Sequence, residues 1–85
     1  MNNVIMRLVT LDGGDYRPLS AVALVGTFTV SCPPANAGNV LFKGDDGSDV
    51  PMIPGEWHTL VGINLAEIQI KGTVGDVVTL VGGTW

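Results

Sequence analysis

From Asn39 to Trp85 short apolar runs alternate with turn residues about every ten positions, and few folds other than a small antiparallel β domain accept that spacing. Val40-Leu41-Phe42-Lys43 is a strand candidate, and Gly44-Asp45-Asp46-Gly47-Ser48-Asp49 interrupts it. Val50 to Ile53 follows, with Pro51 and Pro54 marking an edge position because proline cannot donate to a ladder. Pro54-Gly55 signals a type II turn, proline setting φ and glycine taking φ > 0. Glu56 to Gly62 reads as a strand and Ile63 to Glu67 as a brief loop or single helical turn. Ile68 to Lys71, the Gly72-Thr73-Val74-Gly75-Asp76 turn and Val77 to Val81 are expected to make a final hairpin.

The preceding half follows the same grammar less cleanly. Val4 to Leu11 is a strand candidate with apolar residues on both faces apart from Arg7 and Thr10, closed by the breaker Asp12-Gly13-Gly14-Asp15. Tyr16-Arg17-Pro18 is a short extended exit. In Leu19 to Cys32 the residues Val22, Leu24, Phe28, Val30 and Cys32 fall on even positions, and Thr27, Thr29 and Ser31 on odd ones, the period of a half-buried strand. A helix competes for Leu19 to Val25, but Gly26 followed by Thr-Phe-Thr-Val favours a strand with a bulge at Gly26. Residues 33–39, rich in Pro, Asn and Gly, form a loop. Leu-Val-Gly recurs at Leu24, Leu60 and Leu80 with unequal spacing, which fits shared strand-end vocabulary better than a structural repeat. The expectation is one all-β domain over residues 1–85, a small antiparallel sandwich or barrel of about six to eight short strands, with N-terminal strands over 1–32 and a β meander over 40–85.

At 85 residues the chain is short for its apolar content: 46% of it is hydrophobic and only 14% charged. A domain of this size buries only roughly 60–65% of its unfolded surface, so much of that apolar surface needs a neighbour to cover it. The net charge is −4, and the four cations Arg7, Arg17, Lys43 and Lys71 stand singly, with no stripe to track phosphates or anionic lipid. Neither nucleic acid nor a membrane is expected as a partner. The run from Leu19 to Val30 is too short and too polar to span a bilayer, and no basic n-region of a signal peptide precedes it.

No catalytic constellation is legible, so an enzyme is not expected. The acids sit in turn sequences, where they serve as local hydrogen-bond acceptors. His58 is the one histidine, and no Cys, Asp or Glu stands at metal-ligand spacing that would complete a centre with it. The run Asp45-Asp46-Gly47-Ser48-Asp49 offers oxygens to Ca²⁺, but its glycine comes too early and no closing Glu follows. Neither a cofactor nor a metal is expected. Cys32, the lone cysteine, excludes an internal disulfide and reads first as a small buried apolar side chain, with an intermolecular bridge or a reactive thiol as the alternative. Phe28, Cys32, Trp57 and Trp85 are the side chains expected at a subunit interface, with Trp85 packed on the body or a neighbour. Pro54, Gly55, Gly72, Gly75 and Asp76 are expected to act as structural turn residues.

The sequence Val40-Leu41-Phe42-Lys43-Gly44, Ile53-Pro54-Gly55-Glu56, Leu65-Ala66-Glu67-Ile68-Gln69-Ile70-Lys71-Gly72 and Val74-Gly75-Asp76-Val77-Val78 resembles the second half of small virion proteins of tailed phages. The resemblance covers residues 40–81, about half the chain, and its elements are turn and core signatures. It implies a head-decoration or cement protein that binds the major capsid protein or another virion protein as a homo-oligomer, commonly a trimer, and is found in the virion after assembly in the host cytoplasm. A tail, fibre or baseplate module that recognises a host-surface glycan or another virion protein is the alternative.

Overall fold

Eight strands make up most of residues 3–84, the part of the chain that the computed structural model describes. They are β1 (Asn3–Thr10), β2 (Arg17–Pro18), β3 (Val25–Ser31), β4 (Val40–Lys43), β5 (Val50–Met52), β6 (Trp57–Asn64), β7 (Gln69–Lys71) and β8 (Val77–Thr84). They form two four-stranded sheets, ordered β1-β8-β3-β6 and β2-β7-β4-β5, and every pairing is antiparallel. The protein is all-β, and two sheets facing across one core make it a sandwich.

The core is the inner face of each sheet. In β3, Phe28 and Val30 are fully buried and alternate with half-buried Thr27, Thr29 and Ser31. Val78 and Leu80 of β8 lie beside them, and Val40, Phe42, Met52 and Ile70 face them from the second sheet. Leu11, Leu19 and Leu65, from the connections, close the ends.

The expected meander over residues 40–85 is corrected: β5 and β7 belong to the second sheet, whereas β6 and β8 belong to the first. Of these strands only β4 and β5 pair as sequence neighbours. The Pro54-Gly55 and Gly75 turns reverse the chain as anticipated, with glycine φ of 91° and 88°, but each carries it from one sheet to the other. In both, an amide closes onto a carbonyl three residues back, Glu56 onto Ile53 at 3.0 Å and Asp76 onto Thr73 at 3.1 Å. The Pro-Gly turn is also held to the end of β3, because Gly55 donates to the carbonyl of Cys32 and Cys32 donates to that of Glu56.

The strand expected over Leu19 to Cys32 is shorter, beginning at Val25. Ser20 accounts for the difference, since its hydroxyl donates to the Val22 carbonyl and accepts from the Val22 amide, a local turn that competes with a ladder. Asn64 then accepts from the amides of Leu24 and Ala66, tying this connection to the Leu65–Glu67 3-10 turn. The β3–β6 register shifts between Gly26 and Phe28, so the bulge lies where Gly26 suggested it.

Two of the Leu-Val-Gly glycines have a role beyond ending strands. A Cβ on Gly82 would stand 2.1 Å from the Thr27 carbonyl oxygen, and one on Gly26 equally close to that of Gly83. Only glycine lets β3 and β8 approach this closely beside the bulge.

Candidate interaction surface

The outer face of the first sheet gathers several of the exposed large apolar side chains that the core does not use. Period two in β1 points Ile5 and Val9 at the core and leaves Val4, Met6 and Leu8 outside. The register aligns these with the neighbouring strands. Leu8 lies beside Thr79, Ser31 and Trp57, Met6 beside Val81, Thr29 and Thr59, and Val4 beside Gly83 and Thr27. Val61 continues the outward side of β6 beyond Thr59. Val4 is 79% exposed, Val61 76% and Trp57 62%, values that belong to side chains lying on a surface and packed into nothing.

No charged residue occupies this face among the described residues. Four of its hydroxyls are engaged: Thr29 and Thr59 share a hydrogen bond at 3.0 Å, and Ser31 and Thr79 share another. Hydroxyls already paired with one another lower the cost of desolvating the patch against a partner. Arg7 and His58 lie on these strands but point to the other side, opposite the buried Leu80 and Val30.

The second sheet presents a different surface. The Tyr16 hydroxyl donates to Asp49, Lys43 Nζ lies 3.7 Å from the same carboxylate, and the ammonium groups of Lys43 and Lys71 stand 4.1 and 5.7 Å from the centre of the Tyr16 ring. Partial burial and the Asp49 carboxylate push the Tyr16 phenol up to about 12. The Tyr16 hydrogen bond, then Lys43 and Lys71, hold Asp49 below the usual carboxylate range. These charges satisfy one another.

Phe28 and Cys32, expected at an interface, are instead core residues, 0% and 1% exposed. Their even-numbered alternation marked a shared face, and that face is the inner one. Burial, with the Glu56 and Asp76 carboxylates, pushes the Cys32 thiol up to about 11, so it stays protonated and unreactive. Trp57 is exposed on the uncharged face. Trp85 lies outside the described residues.

Asp76 reaches further than a local turn. Buried to 5% exposure, its carboxylate accepts the amides of Ala37 at 2.8 Å and Gly38 at 3.0 Å. Asn36 exchanges two hydrogen bonds with the backbone of Val77, so the 33–39 loop is stitched to the start of β8. Glu56 accepts the Ile53 amide and pairs with His58 at 2.6 Å, contacts that hold its carboxyl below the ordinary range, the His58 contact first. The acidic run is divided rather than convergent: Asp46 accepts the Ser48 amide, and Asp49 turns to Tyr16 and Lys43. Among the described residues no three His, Cys, Asp or Glu side chains gather as a metal site would need.

At each lateral end of the sandwich a groove opens between the sheets. One, of about 860 Å³, is lined by Val25, Leu60, Ile63 and Ile68, with Asp45 and Glu67 among its polar residues. The other lies between β1 and β2 and includes Leu8, Val9, Leu19 and Arg17. No family model, curated protein or solved structure matches this chain.

Proposed function

We propose that this protein is a structural virion component of the decoration or cement type, which lays the outer face of its first sheet on a protein shell and ties neighbouring shell subunits together. The observation that carries the reading is the uncharged face of Val4, Met6, Leu8, Thr29, Thr59, Trp57, Val61 and Val81 on a chain whose net charge is −4. An apolar face of this kind, spread over four strands, suits a broad protein partner better than a small ligand. The resemblance of residues 40–81 to small virion proteins of tailed phages is the second support for this reading.

Co-sedimentation with phage heads stripped of their accessory proteins tests it. The wild type is expected to pellet with the heads and raise their resistance to heat, and Met6→Asp with Val61→Asp is expected to remove both effects. Lys43→Ala, on the opposite face, is expected to leave both in place. Failure to bind any head, or binding to cell-surface polysaccharide through Trp57 instead, overturns the proposal, the second result in favour of a tail-associated glycan module.

A further inference from the structure

The first sheet has two free edges, β1 and β6, and they differ in chemistry. On the core side of β1, Arg7 lies between the part-buried Ile5 and Val9, and among the described residues its guanidinium makes no hydrogen bond or ion pair. The neighbouring β2 adds Arg17, whose guanidinium donates to the Thr10 carbonyl. The acids Asp12 and Asp15 lie beyond the last paired residue of β1. At the β6 end the core-side groove carries Leu60, Ile63 and Ile68 together with Asp45 and Glu67. Neither of these two carboxylates has a partner among the described residues. One lateral end of the sandwich therefore bears cations beside an apolar strand, and the other bears anions beside an apolar groove.

We infer that β1 of one copy pairs with β6 of the next, so that copies join head to tail through a continuous first sheet. Three features support this seam. Strand direction alternates across the sheet, so β1 and β3 run one way and β8 and β6 the other. A β1 added beyond β6 in the same orientation is antiparallel to it and continues the pattern.

Side-chain parity also matches. With the outer faces aligned, Val4, Met6 and Leu8 of the incoming strand extend the surface of Trp57, Thr59 and Val61. Its Ile5, Arg7 and Val9 turn toward the groove. Ile5 and Val9 then cover Leu60, Ile63 and Ile68, while the Arg7 guanidinium meets Asp45 and Glu67. Finally, a long free edge with apolar side chains is a template for pairing, and a lone inward arginine on it guards against every partner except one that supplies carboxylates.

Because each copy offers one edge of each kind, the contact is heterologous, and it forms a closed ring wherever the rotation per copy closes. The seam gives form to the homo-oligomer that the resemblance implies and to that extent rests on the proposed function, but it needs no shell, and its failure leaves head binding untouched.

Charge exchange tests the seam, read by light scattering on purified protein. The wild type is expected at a multiple of its 8.9 kDa chain mass. Arg7→Glu alone, and Asp45→Lys with Glu67→Lys, are each expected to weaken association by about tenfold or more. All three substitutions in one chain are expected to restore it. These positions are exposed, so unchanged thermal melting separates loss of pairing from loss of fold. Leu8→Cys distinguishes the geometry: on oxidation, rapid disulfide-linked dimers mean β1 pairs with another β1 and overturn the head-to-tail arrangement. A wild type that stays monomeric, or a triple variant no more associated than its parents, overturns the inference altogether.

Discussion

The two sheets differ in strand length, seven or eight residues in the first and two to four in the second, and their outer faces solve opposite problems. On the second sheet Tyr16, Lys43, Asp49 and Lys71 meet one another, so that surface is complete as an isolated chain. On the outer face of the first sheet the polar contacts of Thr29 with Thr59 and of Thr79 with Ser31 involve no charged group, and Val4, Met6, Leu8, Trp57 and Val61 are left against solvent. A chain with few charges has concentrated two of its four cations where they are internally satisfied and kept the opposite face free of charge. The difference teaches which side expects company: desolvating the paired charges of the second sheet is costly, whereas covering the first removes apolar surface from water.

The largest expected effect removes the first sheet itself. Gly82→Ala places a Cβ against the Thr27 carbonyl, and backbone must move because no flexible side chain can give way. The expected loss is about 3 kcal/mol, measured by denaturant unfolding. A variant as stable as the wild type contradicts the close β3–β8 approach. A smaller effect separates the faces without unfolding either. Met6→Asp with Val61→Asp adds charge at two exposed positions on strands that are not neighbours and is expected to cost about 1 kcal/mol in stability. Binding of an apolar fluorescent dye is expected to fall strongly in this variant and to remain in Lys43→Ala. Equal dye binding by both variants removes the distinction between the two faces.

The alternation of Phe28 and Val30 with Thr27 and Thr29, the Val40–Lys43 strand, the bulge at Gly26 and the Pro54-Gly55 turn were all legible because each rests on neighbours in sequence. Sheet membership was not, since a turn residue specifies a reversal but not whether the next strand returns beside the last one or crosses the core. The same limit placed Phe28 and Cys32 at an interface: periodicity groups residues on a face without saying which face is inside. In β1 the reading was harder still, because Ile5 and Val9 are as apolar as Val4, Met6 and Leu8. Only the position of β8 and the second sheet decides between them. Asp76 looked like a local turn acceptor, and its bonds to Ala37 and Gly38 bridge positions that no short-range signal connects.

The smallest effect concerns the self-satisfied face and is read through Tyr16, the one tyrosine of the chain. Its phenol is raised in the folded state from 10.0 to about 12, so folding favours the protonated form. Stability from this contact is therefore complete below pH 10 and is lost as pH rises from there through the folded value. Spectrophotometric titration of the native protein is expected to show phenolate appearing later than in urea. An ordinary midpoint in the native state breaks the picture of an internally paired surface. Asp49 supplies the acid limb. The Tyr16 hydroxyl is the first cause of its lowered pKa, so its contribution is present above the ordinary carboxylate range and fades as pH falls through the folded value. Tyr16→Phe is expected to move the Asp49 midpoint upward by NMR titration, with Lys43 still holding it partly down, and to leave dye binding at the first sheet unchanged. If dye binding changes too, the two faces are coupled through the core, and neither can be treated as an independent surface.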